Sequence, residues 1–434
     1  MRNSVIAMLL AGALVSLNAH AADLLQVYRD ALASDATYAS ARAALTAGEE
    51  QAVQGRAGLL PSVALSGAYT RNNLDISSLP SSTYNGNGYT LSLSQPLFRA
   101  ANWEQYQEGK LSVAASEAQF AQAQQDLIVR VAQAYFDVLA AQDALASLQA
   151  QKVAITEQLA SAKRNFEVGT ATITDTHEAQ ARYDLAVAQE IAARNDLEIK
   201  RTALEQITGK APGELATLRP GVDLKAPEPA QLDPWVQSAE QQNYGVVGQQ
   251  LALEIAQREI KRSRAGHYPT LDLVASRSHS NPSSVSALGT SANTSSIGVQ
   301  WAIPLFSGFA VTSKVRQSIA LEDKARADLE NARRVAAQSA RQSYLGVTSG
   351  LAQVKALEAA EVSSQSSLES NRLGYQVGVR INIDVLNAQQ QLYSTRSELA
   401  KARYDTLVSG LRLKAAAGTL KEDDLVQVNA LLKR

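Results

Sequence analysis

The sequence predicts a mostly α chain with a small β part, built as two copies of one unit. Three observations carry this reading. Landmark residues recur at a near-constant offset, proline-free runs far exceed ordinary helix length, and each half holds two short stretches of alternating apolar and polar residues.

The duplication is read from ordered landmarks. Leu60-Pro61 is answered 208 residues later by Tyr268-Pro269, and Pro96-Leu97-Phe98 by Pro304-Leu305-Phe306 at the same offset. Gln133-x-Tyr135 is answered 209 residues later by Gln342-x-Tyr344, and Gly169 and Asp175 by Gly378 and Asp384. Each half therefore has the plan helix, strand, strand, long helix, hairpin turn, helix. The expected boundaries are a first repeat over 22–208, a proline-rich strap over 209–233, a second repeat over 234–417 and a C-terminal segment over 418–434. Pro212, Pro220, Pro227 and Pro229, with Pro234 just beyond, forbid a continuous helix through the strap.

The helices come next. From about Asn102 to Phe166 there is no proline, and Gly109 is the only glycine. Leu127, Val131, Ala134, Val138, Ala141, Leu145 and Leu148 recur in alternating steps of four and three, the coiled-coil interval. Lys152 interrupts the series, and Ile155, Leu159, Ala162 and Phe166 resume it. At the α-helical rise such a run extends about 100 Å, several times an ordinary domain helix. A second run spans about Ser313 to Tyr375. Shorter helices are expected at 23–57, 175–208, 234–265 and 384–417. The hairpin segments FEVGTATITD (166–175) and YQVGVRINID (375–384) join long helices to returning ones. Gly169 and Gly378 suit the left-handed residue that ends a helix. Thr174 or Asp175, with Glu178 as capping-box partner, and Asp384 are expected to cap the helices that follow.

The strands alternate with period two. Val63, Leu65 and Tyr69 face away from Ala64, Ser66, Ala68 and Thr70, and Tyr89, Leu91 and Leu93 from Thr90, Ser92 and Ser94. Leu271 and Leu273 oppose Thr270 and Asp272, with Val274 out of pattern; Ile297, Val299 and Trp301 oppose Ser296, Gly298 and Gln300. An apolar face backed by Ser, Thr, Gly and Gln fits a membrane barrel, lipid outside and water inside. Segments 71–86 and 278–294, rich in Ser, Asn and Gly, are expected to be loops. Four strands cannot close such a barrel, for which about eight is the minimum, and an open edge in lipid leaves backbone groups without partners. Several copies must contribute; two would give a narrow filled barrel and three a conduit, and the strands alone do not choose.

Composition excludes other classes. The chain has 434 residues, no cysteine and a formal net charge of −1, so disulfides, thiolate chemistry and a polyanionic partner such as nucleic acid are not expected. Residues 1–21 read as a secretory signal, with Arg2, an apolar stretch from Val5 to Leu17, and Ala19-His20-Ala21 before the cleavage point. There is no P-loop, HExxH or GxSxG, and His20, His177, His267 and His279 lack ligand spacing. No catalytic, cofactor-binding or metal-binding residue is predicted, and the chain is not expected to be an enzyme. The competing reading is a soluble periplasmic coiled-coil spacer or binding protein, which accounts for the helices but not for the strands.

Several long, ordered stretches carry a resemblance: NFEVGTATITD (165–175), ALEQITGKAPGEL (203–215), YQVGVRINIDVLNAQQQLY (375–393), ELAKARYDTL (398–407) and AAGTL (416–420). Across essentially the whole mature chain the sequence resembles the TolC family of outer-membrane efflux and type I secretion channels. The resemblance implies a homotrimer, with a twelve-stranded β-barrel in the outer membrane continued by a twelve-helix α-barrel across the periplasm. The strap and the C-terminal segment would form an equatorial layer, and the hairpins the periplasmic tip. It further implies a gate at Thr174, Asp175, Tyr375 and Arg380, with Asp175 and Arg380 as a charge pair. A selectivity ring maps to Asp384 and, where the family has a second carboxylate, to Asn387, which would weaken cation selectivity. An adaptor-docking surface maps to Val168, Gly169, Thr170, Val377, Gly378 and Val379. The implied partners are outer-membrane lipid, a periplasmic adaptor and an inner-membrane transporter of ABC or RND type, with no cofactor. Cargo is not readable from the chain: drugs, secreted protein and metal ions stay open, the first two favoured.

Overall fold

A computed structural model describes residues 21–77, 79–282 and 291–433. The signal reading over 1–21 lies, apart from Ala21, outside the described residues, as do 283–290 of the second expected loop. In chain order the elements are α1 (Leu24–Ser34), α2 (Ala36–Ala57), β1 (Ser62–Ile76), β2 (Leu79–Phe98), α3 (Ala100–Glu167), α4 (Ile173–Thr208), α5 (Leu232–Gln242), α6 (Tyr244–Arg264), β3 (Thr270–Pro282), β4 (Ala292–Ala302), α7 (Ala310–Gln376), α8 (Asn382–Ala416) and α9 (Glu422–Asn429). The order α-α-β-β-α-α thus occurs twice. The chain divides into two compact units that each draw on both halves. One comprises the residues up to Ala39, Ala123–Ala239 and Ala337 onward; the other comprises Ser40–Gln122 and Glu240–Ala336.

The second unit holds the sheet, an antiparallel meander in the order β1-β2-β3-β4. Its register sorts the side chains as the alternation predicts. Val63 pairs with Leu93, Leu93 with Ala275 and Ala275 with Ile297, while the adjacent row aligns Ala64, Ser92, Ser276 and Ser296. The hydroxyl face is internally bonded: Ser276 and Ser296 share a 2.9 Å contact, and Ser92 Oγ donates to the Ala64 carbonyl at 3.3 Å. The apolar face is open, with Leu65 and Tyr69 each 73% exposed and Ile297 77% exposed. Asp272, read as lining residue, is instead buried and accepts both prongs of Arg99 at 2.8 and 2.7 Å, fastening β3 to the start of α3.

Over their described residues the expected loops 71–86 and 278–294 are largely strand. Arg71 pairs with Asn85, Asn72 with Tyr84, Asn73 with Thr83, and Ser280 with Ala292. The strands outrun their apolar band, and with polar residues on both faces no alternation remains to mark them.

The first unit holds the main core. Leu24, Val27 and Ala31 of α1 pack with Leu127, Val131, Tyr135 and Leu139 of α3, Leu204 of α4, Leu411 of α8 and Leu425 of α9. The Phe136 ring stacks on Tyr404 at 5.5 Å. Burial follows the heptad reading at Leu127, Val131, Ala134, Val138, Ala141, Ile155, Leu159 and Ala162. Leu145 and Leu148 of the same series are only half-buried, and Phe166 departs from it and is exposed in the last turn of α3, just ahead of the turn to α4. The interruption at Lys152 has a partner: its ammonium meets the buried Glu190 of α4, which also accepts from Gln149 and Arg194. The Lys152 hydrogen bond foremost, with Gln149 and Arg194 assisting, holds the Glu190 carboxyl below its ordinary pKa.

The helices expected at 175–208 and 384–417 are continuous, but those at 23–57 and 234–265 are each broken in two. The first breaks at Asp35, whose carboxylate accepts from the Tyr38 amide at 2.6 Å and from Arg130 twice at 3.0 Å. The second breaks 208 residues later at Asn243, which accepts from the Gly245 amide at 2.9 Å. A side chain that caps the next helix turns one rod into two. The repeated Gln-x-Tyr motif also acquires a purpose. Tyr135 donates to the carbonyls of Ala22 at 3.1 Å and Ala216 at 2.7 Å, and Tyr344 donates to that of Ala230. Ala22 and Ala230 each stand two residues before a helix, so each tyrosine pins the chain entering α1 or α5. α5 begins at Leu232, earlier than expected, because Pro234 is tolerated in a first turn. In the same unit the strap meets the C-terminal segment: Leu218 bridges Leu432, and the Lys433 amide donates to the Thr217 carbonyl at 2.7 Å.

Candidate functional site

The two hairpins, both in the first unit, share one turn. After α3, the Gly169 amide donates to the Phe166 carbonyl at 3.0 Å and the Thr170 amide to that of Asn165 at 2.8 Å. After α7, Gly378 donates to Tyr375 at 3.1 Å and Val379 to Gly374 at 2.8 Å. These are the paired bonds of a Schellman ending. Gly169 and Gly378 both sit at φ +77°, and a Cβ at either would meet no atom within 4 Å. Glycine is required there by backbone conformation, not by space.

The helices that follow start differently. α4 is capped by Thr172, whose hydroxyl accepts from the Asp175 amide while the Asp175 carboxylate accepts from the Thr172 amide at 3.1 Å. The expected cap at Thr174 or Asp175 with Glu178 is therefore displaced by one turn, since Ile173 is already helical; Asp175 is the box partner, not the cap. α8 has Ile381 at the cap position with no side-chain bond, so Asp384 is not a cap either but lies one turn inside. Arg380 lies 3.7 Å from Asp384. Its aliphatic stem runs over Gly374, where a Cβ would come within 2.6 Å of Arg380 Cγ. Among the described residues no ion pair joins Asp175 to Arg380 within one chain.

What joins the hairpins is a set of amides. Asn165 Nδ2 donates to Tyr375 Oη at 3.2 Å. Asn382, 1% exposed, donates to the Asp175 carbonyl at 3.2 Å and accepts from Gln158. Higher on the same helices, Arg182 of α4 donates to Asn387 Oδ1 at 2.9 Å and Gln390 Oε1 at 2.6 Å of α8. So the structure holds Tyr375 on Asn165, the Asp175 carbonyl on Asn382, Asp384 beside Arg380 and Asn387 on Arg182, four separate contacts, with Thr174 exposed. Val168, Val377 and Val379 are 73%, 64% and 79% exposed, an apolar pair of tips.

Sequence reading missed Gln158, Asn165, Asn382, Gly374 and Arg182. One signal was present: the 209-residue offset sets Asn165 against Gly374, a place where the copies differ at the foot of the same turn. Among the described residues no group of three or more metal-ligating side chains is assembled, and no helix is long and apolar enough to cross a membrane.

The family described as Outer membrane efflux protein matches residues 27–210 and again 235–419. The chain belongs to that family. It is 34% identical over 416 residues to the Outer membrane protein TolC of Vibrio cholerae, covering 95% of this chain and 94% of that protein. It is 35% identical over 423 residues to the Alkaline protease secretion protein AprF of Pseudomonas aeruginosa, covering 95% and 88%. Among solved structures, the Campylobacter jejuni CmeC outer membrane channel superposes with a TM-score of 0.81 at 18% identity, covering 94% of this chain and 90% of that one. Membership places the protein in the outer membrane among efflux and secretion channels, and the soluble spacer reading is not favoured.

Proposed function

We propose that the chain assembles as a homotrimeric duct through the outer membrane and periplasm, serving a tripartite efflux pump, type I secretion, or both. The observation that carries this is the sheet: four strands with an exposed apolar face, a hydroxyl-lined opposite face, and β1 and β4 unpaired at its edges. In lipid those edges must pair, and β4 of one copy with β1 of the next closes a cylinder. α3 and α7, 68 and 67 residues long, are the walls of the continuing conduit. In this reading 22–208 and 234–417 are the repeats, and the strap at 209–233 and the segment at 418–434 form a belt around the helices.

The hairpins close the periplasmic entrance. Thr174, Asp175, Tyr375 and Arg380 form its gate, Asp384 and Asn387 its ring, and Val168, Gly169, Thr170, Val377, Gly378 and Val379 receive an adaptor that couples the duct to an ABC- or RND-type transporter. Each gate contact is weak alone; threefold repetition at a constriction biases a closed state that partner binding overcomes. The duct performs no catalysis and needs no cofactor. Secreted proteins and drugs are the favoured cargo, the former because relatives include a protein named for alkaline protease secretion. Planar-bilayer recording of the purified assembly tests the reading. Asp175→Ala and Arg380→Ala should each raise single-channel conductance; unchanged conductance in both would remove the gate, and absence of any channel would remove the duct.

A further inference from the structure

The geometry points to Arg182 as a charge-setting residue of the entrance, a fixed cation that offsets the Asp384 ring and blunts preference for cations. This rests on the proposal that Asp384 and Asn387 line the entrance.

Asp384, Asn387 and Gln390 follow one another at three-residue steps along the first turns of α8, and so share a face. Arg182 reaches across from α4 and places both terminal nitrogens of its guanidinium on that stripe, at 2.9 Å from Asn387 Oδ1 and 2.6 Å from Gln390 Oε1. Both acceptors are neutral amides. Among the described residues no carboxylate lies within ion-pair distance of Arg182, so its charge is positioned but not neutralised. A planar guanidinium held by two acceptors is fixed in direction, unlike a free lysine. Asn387 and Gln390 are exposed, so the clamp stands in water, where it adds little stability and much local potential. Repeated by threefold symmetry, three such cations would stand one turn from three Asp384 carboxylates.

The arrangement also alters what a carboxylate at position 387 would do. Asn387→Asp would meet Arg182 directly and pair with it, so the new charge would be largely cancelled. Adding an acid alone should not create a strong cation site; adding it after removing Arg182 should.

The test is reversal potential and trivalent-cation block of the full trimer in planar bilayers under a KCl gradient. Arg182→Gln should raise the K+ over Cl− permeability ratio at least about threefold, since charges at a constriction set potentials of more than one kT, and Arg182→Lys should leave it near wild type. Asn387→Asp alone should tighten block by a trivalent cation less than about twofold, and the Arg182→Gln/Asn387→Asp double variant by far more than either single change. The inference fails if Arg182→Gln leaves selectivity unchanged, or if Asn387→Asp alone gives full block and the double variant adds nothing. Asp384→Asn separates the two layers of the reading. If it lowers cation preference while Arg182→Gln is silent, only the role of Arg182 falls. If both are silent, the entrance assignment falls with it.

Discussion

The two hairpins share a backbone and differ in what their side chains do. Both turn through a glycine at φ +77° with the same pair of carbonyl bonds. In the first, Thr172 and Asp175 spend their polar groups on each other, closing a capping box that anchors α4. In the second, α8 begins without a side-chain cap, and its polar groups go elsewhere: Asn382 inward to Gln158 and Asp175, Arg380 and Asp384 to one another. α8 is also the more deeply set helix, burying Val385, Leu386, Ala388, Gln389 and Leu392 within its first three turns, where α4 buries only Ala179. Duplication kept the fold of the turn and released its chemistry. One copy anchors its helix through a capping box, and the other starts its helix uncapped with Arg380 beside Asp384.

That contrast is open to attack at several points. The largest effect should come from Asn382→Leu, which leaves the buried Gln158 amide without the oxygen it donates to and removes the tie to the Asp175 carbonyl; it should cost about 2–3 kcal/mol, read as a lowered denaturation midpoint of the detergent-solubilised trimer. An unchanged midpoint would mean the hairpins are not tied through that residue. Gly169→Ala and Gly378→Ala should each cost about 1–2 kcal/mol by forcing an alanine into the left-handed region, and the two costs should match. A clear inequality would break the equivalence of the turns.

Caps should not match. Thr172→Val should cost about 1 kcal/mol and speed amide hydrogen exchange over the first turn of α4, whereas Ile381→Ser should be neutral or stabilising because α8 has no cap to lose. The smallest effect lies outside the hairpins and supplies a pH control. Burial, opposed by Arg262 and reinforced by Glu259 and Glu104, pushes Glu108 of α3 up to about 7 from its usual 4.5. A raised carboxyl binds its proton more tightly when folded. The stability this contributes is complete below 4.5 and is lost as pH rises through about 7. Glu108→Gln should flatten that fall, by on the order of 1 kcal/mol per chain after solvent screening, and leave hairpin exchange unchanged.

Much of the fold was legible because its signals are periodic and long. Heptad steps from Leu127 to Ala162, interrupted at Lys152, span about ten turns of one helix, and alternation like that from Val63 to Tyr69 recurs in the other strands, with Val274 the exception. What escaped detection depends on single residues or distant partners. The breaks at Asp35 and Asn243 each rest on one capping side chain inside an otherwise helical run, and the outer ends of the strands carry polar residues on both faces. At the hairpins, the turn glycines and the exposed valines were readable from local sequence. The ties were not, since Asn165 to Tyr375, Gln158 to Asn382 and Arg182 to Asn387 each join residues two hundred or more positions apart. Offset comparison exposes one of them, because Asn165 faces Gly374 at the same step of the repeat.

Stoichiometry tests the central claim most directly. Native mass spectrometry of the protein released from detergent micelles should give a complex of three chains, as closure of twelve strands through β4-to-β1 pairing requires. A single chain, or a dimer, as the dominant species would leave the sheet too few strands to enclose a conduit and would contradict the account.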